Sequence, residues 1–393
     1  RGTLFNLPTG DIEAVLGAEY VSDELSFDLS AYPLNQQPDP AIQTRTRNVR
    51  AAFGEIKVPL LSQDRLALSI AGRHDEYSDF GSTSNPQYTL QWQPLRSLVV
   101  RGSYADAFKA PSLAALYDTQ RTVPNNGIID PSTGTTVFVD RLTGGNPNLD
   151  PEVGRSKTLG VTYSSEQLPG LSVSSTYWSI SMHQAIVGVG IQFIVDNEAA
   201  FPGRVIRDSG GAITLVDVRR ANYGSIDVAG FDHQIAYQLP TSSGNWTASL
   251  GATQTRRYDA QLVAGAPATD RAGKANADLN WSPRWKGTAR LGWQRAAVSA
   301  SLTGRYVDEY RDYNSTSRYI GDFWLCDANV RYNFGQQRAF DRKLLDGGYL
   351  ELGGVNIGDK EPQFSGYSTF SGYDPAQADI RGRYWYLTLG VTF

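Results

Sequence analysis

The last eleven residues alternate between apolar and polar side chains, and this pattern constrains the fold more than any other stretch. One face would carry Trp385, Leu387, Leu389, Val391 and Phe393, and the other Tyr384, Tyr386, Thr388, Gly390 and Thr392. Side chains of a β-strand alternate between faces, so this strand would be continuously apolar on one side. About ten residues with rings at both ends are typical of a membrane-spanning strand. A lone strand edge is costly in hydrocarbon, so the rest of the chain is expected to supply more strands.

Composition limits the class of protein. The 393 residues include 39 Gly, 21 Tyr and 8 Trp, which favours strands and turns. Mean hydropathy is −0.35, and the sequence has no apolar run near the roughly 18 residues that a helical span needs. These features exclude a helical membrane protein but not a barrel, whose strands are half polar. A single Cys permits no internal disulfide, and the net charge of −4 gives no support for a nucleic-acid partner.

A period-two pattern recurs along the chain and predicts about fourteen strands. The predicted ranges are 11–20, 44–58, 65–77, 87–93, 98–105, 155–164, 171–182, 226–239, 246–257, 285–294, 297–306, 326–334, 349–357 and 383–393.

The connections between these strands alternate in length. Short connections are 59–64, 95–97, 165–170, 240–245 and 295–296. Long ones are 21–43, 107–154, 183–225, 258–284, 307–319 and 358–382, whereas 335–348 is intermediate and 78–86 is brief. An up-and-down barrel places successive connections on opposite sides, with short periplasmic turns and long extracellular loops. A soluble β-sandwich or propeller is the alternative, but it gives no reason for this asymmetry, and no blade-like repeat is visible.

Several segments between about residue 100 and the C-terminus resemble the TonB-dependent outer-membrane receptors. They are 101–117 (RGSYADAFKAPSLAALY), 146–152 (NPNLDPE), 230–233 (GFDH), 355–360 (VNIGDK) and the aromatic C-terminus. The resemblance implies an all-β, transmembrane, antiparallel up-and-down β-barrel of 22 strands, closed by an N-terminal plug domain. It also implies uptake of a scarce ligand with energy from the TonB complex of the inner membrane.

About fourteen strands match only part of such a barrel. Residues 1–393 are therefore expected to be its C-terminal part, with the plug, the TonB box and the first strands on the same gene or on a separate chain. The segment at Arg1 lacks the features of a signal peptide and does not begin with Met, which suggests a processed or partial chain. The strand that pairs with Phe393 is then expected outside this chain. A shortened, self-closed barrel is the alternative.

The sequence offers little for catalysis. His74, His183 and His233 lack metal-ligand spacing, Cys326 lies on an apolar face, and no G-x-S-x-G elbow occurs. We expect no catalytic residue, no metal and no cofactor, although a barrel enzyme remains the third hypothesis. The first is a transport receptor in the lipopolysaccharide-containing outer membrane, and the second is a non-transporting surface barrel.

Ligand binding has better candidates. Tyr310, Arg311, Tyr313 and Tyr319 lie in one predicted loop, and rings beside Arg suit a glycan or an anionic chelate. An interfacial girdle of aromatic residues explains the same rings without a ligand. The expected ligand is an iron chelate, cobalamin or a glycan. On the polar face, Arg101, Asp327, Asn329 and Arg331 are predicted to contact the plug or water rather than substrate.

Overall fold

The structure is a computed structural model of the chain. It describes residues 2–28, 42–261, 263, 267–275, 281–313, 315, 317–334, 347–366 and 372–391. Within these ranges, no helix is both long enough and apolar enough to span a membrane. Phe393 and Thr392, which the sequence places in the last strand, lie outside the described residues.

Strands make up most of the described chain. The first eleven are β1 Gly2–Leu7, β2 Gly10–Asp28, β3 Ile42–Leu61, β4 Leu66–Tyr77, β5 Gly81–Leu95, β6 Leu98–Lys109, β7 Arg121–Asp130, β8 Thr135–Thr143, β9 Glu152–Ser164, β10 Leu171–Val187 and β11 Val205–Arg207. The others are β12 Ile213–Asp217, β13 Ala221–Thr241, β14 Gly244–Gln261, β15 Thr269–Asp270, β16 Trp285–Arg295, β17 Val298–Val307, β18 Tyr310–Arg311, β19 Tyr319–Ile320, β20 Phe323–Asn333, β21 Tyr349–Val355 and β22 Tyr384–Gly390. Two short α-helices are α1 Leu113–Tyr117 and α2 Ile191–Asp196, and 3₁₀ turns cover Ser62–Asp64 and Glu198–Ala200.

One large antiparallel sheet organises the molecule. Its path is β1-β2-β3-β4-β5-β6-β9-β10-β13-β14-β16-β17-β20-β21-β22, and β15 pairs with β14 beside this path. The fourteen predicted strands are confirmed in this up-and-down order. The sequence interpretation missed β1, which forms a hairpin with β2 through a turn at residues 8–9.

The two faces of the sheet differ in chemistry, as the period-two pattern predicts. One register row crosses seven strands from β13 to β22 with apolar side chains: Leu239, Trp246, Trp293, Ala300, Val330, Leu352 and Leu387. The row beside it on the opposite face consists of Gln238, Thr247, Gly292, Ser301, Asn329, Gly353 and Tyr386. Leu387 is 68% exposed on the apolar face. The exposed apolar band is what a lipid-facing surface requires.

The connections follow the predicted alternation. Residues 8–9, 62–65, 96–97, 165–170, 242–243 and 296–297 are short turns on one side of the sheet. Gly244 closes one of these turns with a φ of +129°, a conformation that residues with a Cβ rarely adopt. The connections on the other side are long, except for residues 78–80.

The long connections contain a small folded module. The order of its sheet is β11-β12-β8-β7, and α2 packs on it. Its core consists of Ile128, Val139, Ile194, Val195, Phe201, Ile213, Val216 and Val263. Within the long connection 107–154, β7 and β8 form a hairpin. Directly after Pro111 the chain forms α1, whose N-cap Ser112 accepts a hydrogen bond from Ala115 N.

Candidate functional site

A second cluster on the long-connection side contains Tyr310. The two-residue strand β18 pairs with β19, which places Tyr310 opposite Ile320. The Tyr310 ring packs against Trp281 with 4.7 Å between ring centroids, and the side chain is only 4% exposed. Its hydroxyl donates to Asp374 Oδ2 at 3.0 Å. Three separate connections therefore meet at this one side chain.

Asp312 is a second junction in the same cluster. It accepts hydrogen bonds from Ser365 Oγ at 2.6 Å, Gly366 N at 3.0 Å and Tyr313 N at 2.8 Å. Arg318 also forms an ion pair with its buried carboxylate. Burial alone would raise the pKa of the Asp312 carboxyl, but these partners outweigh burial and hold the pKa below its ordinary value.

The Asp374 carboxyl lies in a different electrostatic environment. Burial raises its pKa above the ordinary value, and the nearby Asp312 charge adds to the rise. Hydrogen bonds from Ala376 N and from the Tyr310 hydroxyl, together with the more distant Lys286 charge, offset only part of this effect. Burial beside Asp374 also raises the pKa of the Tyr310 hydroxyl, which keeps it a hydrogen-bond donor.

The four predicted ligand contacts lie close together but differ in accessibility. Tyr310 is inside the cluster, whereas Tyr319 is 57% exposed. Arg311 pairs with Tyr319 across the short ladder, and its backbone N donates to Gly273 O at 2.9 Å. Tyr313 is partly exposed. Tyr319 is therefore the most accessible of these rings, and direct ligand contact stays a prediction for all four residues.

The four predicted polar-face residues each have a partner on the sheet. Asp327 pairs with Arg305 at 2.9 Å and accepts from Asn356 N at 2.8 Å. Asn329 Oδ1 accepts from Ser301 Oγ at 2.9 Å. Arg331 Nε donates to Asn333 Oδ1 at 3.1 Å, and Arg101 Nε donates to Gln91 Oε1 at 3.1 Å.

These polar-face residues do not form a single site. Three of them lie on β20, but Arg101 lies on β6, and six strands of the sheet separate β6 from β20. Their contact with a plug remains a prediction.

A groove on the polar face was missed by the sequence interpretation. It has a volume of about 590 Å³ and lies across β10, β13, β14, β16 and β17. Asp232, Thr253, Lys286 and Arg305 are among its lining residues, and Thr253 Oγ1 donates to Asp232 Oδ1 at 2.7 Å. Each of these residues occupies a polar position of the period-two pattern. These residues lie on four different strands, and the pairing register of those strands brings their side chains together.

The segment 146–152 is one of those that carry the family resemblance. It holds together the strand ends at which two long connections begin or end. Asn146 Nδ2 donates to Arg220 O at 2.8 Å, which ties the root of β9 to the root of β13. Glu152 accepts from Ile186 N at 2.8 Å and pairs with Lys109 at 2.8 Å. The segment therefore has a structural role in this fold.

Arg47 provides a similar tie for the segment at Pro111. Its guanidinium donates to Asp79 Oδ2 at 2.6 Å and to Pro111 O at 2.8 Å, and it lies over the Tyr77 and Phe80 rings. The side chains of both Arg47 and Asp79 are buried. This buried pair holds the start of α1 against β3.

The described residues contain no group of three or more His, Cys, Asp or Glu that could hold a metal ion.

Several solved receptors resemble this fold. The siderophore receptor PirA of Acinetobacter baumannii is 15% identical with a TM-score of 0.69, covering 99% of this chain and 53% of that chain. The ferric enterobactin receptor PfeA of Pseudomonas aeruginosa in complex with BCV-L6 is 17% identical with a TM-score of 0.70. The match covers 98% of this chain and 52% of that chain. The ferric-catecholate import receptor Fiu of E. coli K12 is 12% identical with a TM-score of 0.55, covering 99% and 53%. At these identities the likeness shows the fold.

The chain spans about half the length of these receptors. A search of the curated proteins found no match. The model of the family described as TonB dependent receptor-like, beta-barrel, matches residues 1–357. Together with the antiparallel sheet, this match confirms the predicted fold, and the chain belongs to the TonB-dependent receptor β-barrel family.

Proposed function

We propose that the protein forms part of an outer-membrane receptor that binds a scarce ligand at its extracellular side and imports it into the periplasm. The arrangement of the two faces and the two ends of the sheet carries this proposal. The long-connection side bears packed clusters with an exposed ring and Arg residues. The polar face below bears a charged groove, and the opposite face is an apolar band. A ligand captured at the clusters would meet the polar face next.

Among an iron chelate, cobalamin and a glycan, we place the iron chelate first. The named structural neighbours are receptors for siderophores, ferric enterobactin and ferric catecholates. In this chain, Tyr319 offers an exposed ring opposite Arg311, and rings with guanidinium groups suit an anionic chelate.

A non-transporting surface barrel is the second candidate, because ordered extracellular clusters could also bind a neighbouring cell or surface layer. We propose no enzymatic activity. The named neighbours are receptors.

We also propose that residues 1–393 are the C-terminal part of a larger barrel. Within the described residues, β1 and β22 end the sheet and each has one neighbour in it. Open edges are unfavourable in hydrocarbon. Further strands and a plug, from the same gene or a separate chain, would cover them and provide contact with the TonB complex. In this arrangement, Arg101, Asp327, Asn329 and Arg331 would face the plug.

The test compares binding with uptake in cells that carry or lack the gene. Radiolabelled ferric catecholates, ferric hydroxamates, cobalamin and oligosaccharides are each added to cells with intact or disrupted TonB. The proposal predicts gene-dependent surface binding in both backgrounds and accumulation only with intact TonB. Binding without accumulation in either background would favour the surface barrel. Absence of the protein from outer-membrane fractions would reject both candidates.

A further inference from the structure

The exposed face of β9 changes character along its length. Tyr163, Val161 and Leu159 are exposed and belong to the apolar face, whereas Lys157 and Arg155 follow on the same face. The change occurs between Leu159 and Lys157, on the half of the strand nearer the long connections. A cation directly beyond an apolar band can extend its charged group to the headgroup level of a membrane.

The two cations converge on one ring. The Arg155 guanidinium lies 5.6 Å from the Tyr104 ring centroid, and Lys157 Nζ lies 6.0 Å from it. Tyr104 is on the neighbouring strand β6, where it pairs with Lys157. Like charges held near each other repel, so an arrangement of this kind favours a bound anion.

The charges at this point do not cancel. Asp106 accepts from the Tyr104 hydroxyl at 2.9 Å and pairs with Arg155 at 3.2 Å. In the part of the chain that the structure describes, Lys157 forms no ion pair. One carboxylate therefore accompanies two cations, and the side chain of Arg155 is 54% exposed.

A cavity adjoins the cations on the side away from the apolar band. The ladder between β5 and β6 ends at Gln87 and Ala105, whereas β6 stays paired with β9 as far as Lys109. The resulting gap has a volume of about 460 Å³, and its lining includes Arg155, Phe108 and Val153 together with the carboxylates of Asp106 and Asp150. A headgroup could enter this space while its phosphate stays at the cations.

We propose that Arg155 and Lys157 bind the phosphate of an anionic lipid headgroup, with the acyl chains lying on Leu159 and Val161. The inference rests on the proposed outer-membrane location, and it adds a specific lipid contact to it. The continuous apolar surface below the cations favours a lipid over a free phosphate, which would gain nothing from that surface. Basic residues near a membrane surface are attracted to anionic lipids.

Native mass spectrometry of the full protein in lipid nanodiscs tests this proposal. The discs contain zwitterionic lipid with a minor fraction of a phosphorylated glycolipid. The test variant combines Arg155→Gln with Lys157→Gln. The control variant combines Lys57→Gln with Arg290→Gln, which removes the same charge from the opposite face of the sheet. The proposal predicts that the test variant retains phosphorylated lipid about tenfold more weakly, whereas the control matches the unmodified protein.

Equal retention by the test and control variants would overturn the proposal. Displacement of the lipid by millimolar inorganic phosphate would also overturn it, because the site would then bind free phosphate. Retention of zwitterionic lipid should stay unchanged in both variants. Failure of the unmodified protein to enter discs would instead count against the proposed membrane location, so the two ideas fail separately.

Discussion

The Tyr310 hydroxyl donates to Asp374 Oδ2 at 3.0 Å, and these two residues, 64 positions apart in the sequence, join two long connections. The Tyr310 ring is buried against Trp281, from a third connection. Tyr310 therefore supports the ordered shape of the cluster on the long-connection side, and Tyr319 presents the accessible ring. This division of roles between two tyrosines of one loop leads to separate predictions for them.

Tyr310→Phe should loosen the cluster without disturbing the sheet. The change leaves Asp374 Oδ2 buried without this donor, which costs about 1–3 kcal/mol. Amide hydrogen exchange at 308–313 and 356–366 should become faster, while exchange in β16 and β17 stays unchanged. Tyr319→Phe is the control, because that ring is exposed. Equal acceleration by both variants would contradict the supporting role of Tyr310.

Tyr319→Ala should weaken ligand binding and leave the cluster ordered. Loss of an exposed ring beside Arg311 should lower affinity by about fivefold for a ferric chelate, which corresponds to about 1 kcal/mol of ring contact. Fluorescence quenching measures affinity, and hydrogen exchange checks that the cluster stays folded. Tyr20→Ala, which removes a 63% exposed ring from β2, should change neither. Unchanged affinity for Tyr319→Ala would leave only the girdle interpretation of this ring.

The cluster should become less stable as the pH rises above 3.8. The pKa of Asp374 is raised by burial, so the folded cluster holds this proton more tightly than the unfolded chain does. Stability is then lost as the pH rises above 3.8 through the raised pKa. Asp312 has a lowered pKa, and its contribution is lost in the opposite direction, below 3.8.

Asp374→Asn should therefore flatten the pH dependence of local opening above pH 3.8. Hydrogen exchange, corrected for the intrinsic effect of pH on exchange, measures this opening. Lys286 and Asp312 also face this carboxyl, so Lys286→Gln serves as a comparison. Lys286→Gln removes a positive charge that favours the ionised Asp374 carboxylate. The loss of cluster stability with rising pH should therefore become steeper. An unchanged slope in Asp374→Asn would show that another group titrates.

Phe201→Ala should unfold the small module while the large sheet stays intact. Phe201 is fully buried in the module core, and a change of this kind costs about 3–5 kcal/mol. Phe138→Ala is a matched control in the same module, because that ring is 71% exposed. Limited proteolysis should cut residues 121–143 rapidly only in Phe201→Ala. Similar cleavage of both variants would mean that the module has no stable core of its own.

Much of the large sheet could be predicted from the sequence because each strand carries its pattern locally. The apolar alternation of Val330 or Leu387 reflects a face that meets the same surroundings along the whole strand. Pairing with the next strand then follows from short turns. The strand β1 was missed because its six residues carry too little alternation to be recognised.

The clusters on the long-connection side could not be predicted in the same way. The buried state of Tyr310 depends on Trp281 and Asp374, and nothing in the local sequence indicates that these residues meet. The small module likewise joins β8 to the parallel strand β12 across about seventy residues of chain. Contacts of this range depend on the lengths and paths of several loops.

The central claim is that one face of the sheet meets lipid and the other does not. In a Cys326→Ser background, single spin labels are placed through Trp385→Cys, Leu387→Cys and Leu389→Cys, and through Tyr384→Cys, Tyr386→Cys and Thr388→Cys. Electron paramagnetic resonance then measures collision with membrane-dissolved oxygen and with a water-soluble nickel complex. We predict high oxygen and low nickel accessibility for the first set and lower oxygen accessibility for the second. Equal aqueous accessibility at all six positions would contradict the claim.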